Sequence, residues 1–409
     1  MINIVSFNGG RGAKSLISGF LKKEGIHFTS IVNAYDDGKS TGNIRSFFRM
    51  LGPSDIRKVQ EAMIPGDLED YNEILQLFNL RYGVNASEEK ILKEFSLFSE
   101  RKTNELCGIT LKDEIIRESL RILVQYLLNG IALIEKAENK KINLHDCSLM
   151  NLLYAGAFLY CSGNFEDTTI FFDKLFKLQG TVLPTNNEDK KLVAIREDGS
   201  ILYSEAEIVE LRSNSRIKRI YLLDQYPDKV LTSRMDIKEV EAYFETMDRL
   251  VSVTPKVQHS ISDADIIIYS PGTQHSSLYP SYMTRGIPDA IAANKKALKV
   301  FVVNIGEDYE TPSYTASDFI NGAVKYLKMG TQYNLSINDV INTALVNNNF
   351  SGKKVENYVM PDMDKLKKIG CEIIADSFED VNNPGKHDGI VLADFIVNKY
   401  YQHLKASVN

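Results

Sequence analysis

Gly9, Gly10 and Gly12, in the run NGGRGAKS at 8–15, are the first residues of this chain whose types and spacing suit chemistry. Glycines let a backbone turn tightly and bring N–H groups against an anion, and Lys14 adds a movable cation. A helix opening near Gly12 would aim its positive end at the same place. The run is neither a Walker loop, which ends in GKS or GKT, nor the dinucleotide pattern GxGxxG. A tight strand-to-helix turn uses glycines in the same way. YDDGKSTG at 35–42 offers the second set. Asp36 and Asp37 end an apolar run, Ser40 and Thr41 add donors, and Arg45 lies just beyond. Asp55, in GPSDIR at 52–57, is a further acid. Asp37 with Asp55 would suit Mg2+, which takes one or two carboxylates and keeps waters and phosphate oxygens as its other ligands. Ser54 and Asp55 after Pro53 suit a helix start equally well. The third set is SPGTQHSS at 270–277. Gly272 permits close approach, and Thr273, Ser276 and Ser277 can bond a phosphate or cap a helix. His275 among them reads as a solvated loop residue, with a ligand contact as the alternative. No G-x-S-x-G elbow is present, and no histidines pair into a metal spacing.

The elements around these sets are those of a βαβ protein. INIVSF at 2–7 reads as a buried strand, LISGFLKKEG as a helix ending at Gly25, and FTSIVNA at 28–34 as a second strand. Strands alternating with helices predict a parallel sheet. From about 55 to 178 the apolar spacing is mostly helical with no convincing strand, so about 67–178 reads as a helical insertion. The stretch 180–223 reads as a β-rich subregion with a hairpin turn at EDG, 197–199. DIIIYS at 265–270 and LKVFVVN at 298–304 read as buried strands, with further strands at 339–346 and 371–375. Helices are expected at 237–250 and about 388–405. The expectation is an α/β fold with a doubly wound, mostly parallel sheet, as a single unit over 1–409.

Composition narrows the function classes. The 409 residues carry a net charge of −6, so no global basic field attracts nucleic acid. The four cysteines, Cys107, Cys147, Cys161 and Cys371, form no CxxC, which suits reduced thiols in a cytoplasm. No basic leader precedes MINIVSF, and no apolar run reaches the roughly 18 residues of a spanning helix, so a cytoplasmic protein without membrane contact is expected.

Taken in order, the loops resemble one superfamily, which contains 2-phospho-L-lactate transferase of deazaflavin-coenzyme biosynthesis and the bacterial gluconeogenesis factors that bind UDP-sugars. NGGRGAK at 8–14 and IVNAYDD at 31–37 are similar to the transferase motifs. YDDGKSTGNIR and GPSDIR look like motifs of the gluconeogenesis factors. HDCSLMNLLYAGAFL at 145–159 resembles a further family helix, with Asn151 at its Asn position. GTVLPTNNEDKKLVAIREDGS at 180–200 and YSPGTQHSSLYPSYMTRGIPDAI at 269–291 match later segments. KVFVVNI at 299–305, which brings in Asn304, and Glu310-Thr311 complete the series. The chain departs from the pattern at Arg11, Lys39, Ser54 and GTQHSS, and so stands between the two branches.

The resemblance implies a nucleoside diphosphate or nucleotide sugar at the strand ends, with Mg2+ on Asp37 and Asp55. Gly9, Gly10, Gly12 and Lys14 would hold phosphates, with Ser40, Thr41, Asn151, Gly272, Thr273, Ser276 and Asn304 completing the site. Asp36 would act catalytically by orienting an acceptor hydroxyl or a water. The implied reaction moves a phosphate-linked group from a nucleoside-diphosphate donor to a hydroxyl, which needs positioning and charge neutralisation more than a covalent nucleophile. The alternative is a non-catalytic regulatory protein that binds a nucleotide sugar. A dinucleotide-dependent redox enzyme is a third reading, and it lacks the GxGxxG loop. A homo-oligomer is compatible with all three.

Overall fold

The computed structural model describes residues 1–351 and 358–408. Seven strands form one sheet: β1 (Ile2–Asn8), β2 (Ile26–Val32), β3 (Thr181–Pro184), β4 (Ile266–Tyr269), β5 (Leu298–Val302), β6 (Thr343–Asn347) and β7 (Glu372–Asp376). Their order across the sheet is β7-β6-β5-β4-β1-β2-β3, and every neighbouring pair is parallel. The chain winds one way from β1 to β3, then returns to β1 and winds the other way. β1 and β4 therefore flank the point where the winding reverses, where open α/β sheets hold their ligands. Phe7 pairs with Ile31 on one side and Tyr269 on the other, so the loops after β1, β2 and β4 leave the sheet at one level. β4 is apolar and buried throughout, as strands covered on both faces must be.

Helices fill the long connection between β2 and β3, the longest being Glu114–Glu138. It contains one antiparallel pair, Glu105–Leu106 with Ile109–Thr110, too short to show in the apolar pattern. The segment 181–184, expected in the β-rich subregion, instead closes the main sheet beside β2. The rest of that subregion is a three-stranded antiparallel sheet of Lys191–Arg196, Ile201–Leu202 and Ile217–Leu223. Its turn is the expected one, with Arg196 N donating to Ser200 O at 2.9 Å. The expected strand 339–346 splits: 337–340 is a helical turn with a capping box from Ser336 and Asp339, and only 343–347 joins the sheet.

The last helix, Gly389–Val408, crosses the helix Lys14–Leu21. A Cβ on Gly389 would lie 1.8 Å from Ser15 O, so only a glycine permits this crossing. The contact brings the segment before Gly389 to the carboxyl edge of the sheet. Among the described residues, no helix is long and apolar enough to cross a membrane.

Candidate functional site

A cavity of about 610 Å³ opens at the carboxyl ends of β1, β2, β4 and β5. From the first loop, Gly9, Gly10 and Gly12 line it. A Cβ on Gly10 would stand 2.5 Å from Asp55 Oδ1, so the missing side chain lets the loop close against that carboxylate. Lys14 opens the helix Lys14–Leu21 but is exposed and outside the cavity lining. The lysines that line it are Lys386 and Lys58, the latter with its Nζ donating to Asp55 Oδ1 at 3.0 Å. Lys58 stands one turn along the helix Ser54–Glu61 from Asp55.

Of the two acids of the second loop, both expected at the site, only one enters the cavity. Asp36 lines the cavity; Asp37 does not. The Asp37 carboxylate accepts from Ala206 N at 2.8 Å and from Tyr226 Oη, so it is tied to the start of the helix Glu205–Glu210. Adjacent residues of an extended segment face opposite ways, and Ala206 and Tyr226 settle which way Asp37 faces. Arg45 is buried beneath this loop. It donates to Tyr35 O (2.6 Å), Asp36 O (3.2 Å) and Asp189 Oδ1 (2.5 Å), which fixes the backbone on which Asp36 stands. Asp36 accepts from Gly38 N at 2.9 Å. Burial first, and then the Asp55 charge, raise its carboxyl above the ordinary range, while Lys58 opposes the rise. Asp55 does not serve as a helix cap: its carboxylate meets Lys58 and accepts from Ser277 Oγ at 3.2 Å. Asp36 and Asp55 are thus two mutually repelling carboxylates on one cavity, which suits a divalent cation. Among the described residues, no cluster of three or more metal-type side chains occurs.

Thr41 lines the cavity, and its hydroxyl lies 2.6 Å from that of Ser54. Asn151, fully buried, stands behind Thr41 and donates to its Oγ1 at 3.2 Å. Ser40 is also buried and outside the lining, 3.5 Å from the Arg81 guanidinium. Both support the wall rather than form it.

Gly272, Thr273, Ser276 and Asn304 line the opposite side, where the hydrogen bonds are already closed. Asn304 and Gly272 bond reciprocally, N to Oδ1 at 2.9 Å and Nδ2 to O at 3.0 Å. Thr273 Oγ1 donates to Ser277 Oγ at 2.9 Å. Glu310, fully buried, accepts from His275 N and Ser276 N at 2.9 Å each and from Ser276 Oγ. The start of the turn Gln274–Leu278, a candidate phosphate cradle by sequence, therefore already holds a carboxyl group. His275 is buried rather than solvated, with its ring edge-on to Tyr279, and burial lowers its pKa to about 3, leaving it neutral.

A family model for 2-phospho-L-lactate transferase CofD matches residues 4–379. The chain belongs to this family. A gluconeogenesis factor of Bacillus subtilis is 26% identical over 405 residues, covering 97% of each chain. One from Halalkalibacterium halodurans is 26% identical over 377 residues, 92% of this chain and 89% of the relative. A crystal structure of a Bacillus halodurans protein shares the fold, with a TM-score of 0.66, 24% identity, and coverage of 97% of this chain and 99% of the other. The family and its relatives place the chain among CofD-like phosphotransferases and related proteins.

Several lining residues carried no signal in the sequence. Glu205, Ala206, Val209 and Glu210 come from the short helix after the hairpin, and Gly385, Lys386 and His387 from the turn before the last helix. Their neighbours along the chain are ordinary; only the sheet order and the Gly389 crossing bring them to the site. Arg57 and Lys58 lie within and beside the GPSDIR motif, where nothing local distinguishes them from solvated helix residues.

Proposed function

We propose that this protein is a Mg2+-dependent transferase that moves a phosphate-linked group from a nucleoside-diphosphate donor to an acceptor hydroxyl. The observation that carries the reading is the pair Asp36–Asp55, two carboxylates crowded on one cavity beside Lys58 and the glycine loop. In this reading Asp36 takes the place expected of Asp37, and it holds the cation with Asp55. When bound, Mg2+ would neutralise the donor phosphates and steady the charge that builds on them. Lys58 would turn from Asp55 to those phosphates. Backbone N–H groups of Gly9, Gly10 and Gly12 would line the phosphate chain. The wall of Gly272, Thr273, Ser276 and Asn304 would shape the donor's far side. The acceptor oxygen would form the new bond to phosphorus as the bridging oxygen leaves with nucleoside monophosphate, and the hydroxyl proton would pass to Asp36 or to water.

A second reading is favoured by the relatives' names. The curated proteins that match nearly the whole chain are called gluconeogenesis factors. On that reading the same cavity holds a nucleotide sugar as a regulatory ligand without turnover. Incubating the protein with Mg2+ and a panel of UDP- and GDP-linked donors, with chromatography of the nucleotides, separates the two. Mg2+-dependent release of nucleoside monophosphate supports transfer. Saturable binding without release supports the regulator, and absence of any nucleotide binding rejects both.

A further inference from the structure

One guanidinium on the cavity wall is buried without an ion pair among the described residues. Arg57, on the helix Ser54–Glu61, is buried and lines the cavity. One of its nitrogens donates to Phe78 O at 2.7 Å, and its Nε is buried without a hydrogen-bond partner. The ion pairs on this wall belong to others: Lys58 with Asp55 at 3.0 Å, and Arg81 with Asp146 at 3.1 Å. Among the described residues, Arg57 has none. Arg81 lines the same cavity and acts on Arg57 as a like charge. Two guanidiniums near each other in a partly closed space repel, and a guanidinium offers five donors in a fork that fits a carboxylate or a phosphate. Thr41 and Ser54 line the same cavity.

Lys58 is tied to Asp55 and also acts on Asp36, whereas Arg57 feels the charges of Glu61 and Asp36 without an ion pair to either. With Lys58 committed to the acid pair beside the glycine loop, Arg57 is left for a different anion. We propose that Arg57 and Arg81 form a second anion-binding subsite, which recognises an acidic group on the acceptor. The acceptor is then a hydroxyl compound that also carries a carboxylate or a phosphate. This rests on the reading of the cavity as a nucleotide site.

The test is calorimetry on the full chain, with and without saturating Mg2+ and UDP or GDP. Four hydroxyl-bearing probes are titrated: 3-phosphoglycerate, glycerate, glycerol 3-phosphate and glycerol. Acidic probes should saturate the wild-type protein and glycerol should not. Comparing glycerate with glycerol 3-phosphate tells which acid the pair prefers. Arg57→Gln and Arg81→Gln should each weaken the acidic probe at least tenfold and change nucleotide affinity less than twofold. Arg57→Lys, which keeps the charge, should keep part of the affinity. Arg81 is half-exposed, so Arg81→Gln reads the subsite even if Arg57→Gln folds poorly. The proposal is overturned if glycerol binds as well as the acids, if no acid saturates, or if the variants weaken nucleotide as much as probe. Failure of the nucleotide reading looks different: no nucleotide binds the wild-type protein, while the probes still report on the arginines in its absence.

Discussion

The two walls of the cavity differ in how far their polar groups are paired. On the wall after β4 and β5, polar groups meet one another: Glu310 caps the turn at Gln274, Asn304 pins Gly272, and Thr273 bonds Ser277. On the wall formed by the second loop and the helix Ser54–Glu61, charges outnumber their partners. Asp36 and Asp55 repel each other, and Arg57 has a buried nitrogen without a partner. On the proposed function, the closed wall would supply shape at little cost in reorganisation. The open wall would supply the energy of binding, because its charges gain most from a ligand. Substitutions on the closed wall should therefore change stability, and those on the open wall affinity.

The largest effect is expected at Glu310. Glu310→Ala strands two buried N–H groups and a hydroxyl, and unfolding in urea should show a loss of about 3 kcal/mol. Glu310→Gln keeps an acceptor and should cost about 1 kcal/mol or less at neutral pH. Burial, and then the Asp308 charge, hold the Glu310 pKa up at about 8. The folded state thus keeps a proton that the unfolded chain gives up near the ordinary glutamate range. This contribution to stability is full below that range and is lost as pH rises through about 8. Glu310→Gln should flatten that slope; an unchanged slope would mean that another group sets it.

The acid pair comes next. Asp36→Asn and Asp55→Asn should each weaken Mg2+-dependent nucleotide binding by tenfold or more, about 1.4 kcal/mol or more, without lowering the melting temperature of the free protein. Loss of folding instead would return these acids to the closed, structural class. Asp37→Asn reverses the pattern. It weakens the tie to Ala206 and Tyr226, costs about 1 kcal/mol of stability, and leaves Mg2+ affinity in place. The smallest effect belongs to Lys14→Ala, which should leave nucleotide affinity unchanged, since Lys14 is exposed outside the lining. An affinity drop there comparable with that of Lys58→Ala would put the phosphates on the wrong side of the glycine loop.

The sheet was legible where strands are continuous apolar runs, as at 2–7, 265–270 and 298–304, because a strand covered on both faces has no polar positions to blur it. Thr181–Pro184 misled because its partner, β2, lies some 150 residues earlier, and pairing at that range leaves no local trace. In the site, the glycines of the first loop do line the cavity, as their spacing suggested. The choice between Asp36 and Asp37 was not legible, since both satisfy the same motif and Tyr226 settles which one faces the cavity. Lys58 and Arg57 escaped because a basic residue on a short amphipathic helix looks like any solvated one. His275 looked solvated because its burial depends on aromatic rings up to 51 positions away.

The strand order also sets a timetable for synthesis. β1 is made first, yet its neighbour β4 follows roughly 260 residues later, since Phe7 pairs with Tyr269. At a ribosomal rate of about 5–20 residues per second, β1 keeps one edge open for on the order of 10–50 s. β2 can join it early, and β3 can follow, so a three-stranded half-sheet with a bare apolar edge is the natural nascent species. Such an edge is a template for misplaced strands. The cavity is completed later still, when the turn at 385–387 arrives, so no ligand can rescue the half-made chain. A cell producing this protein has to shield that edge by other means until β4 emerges.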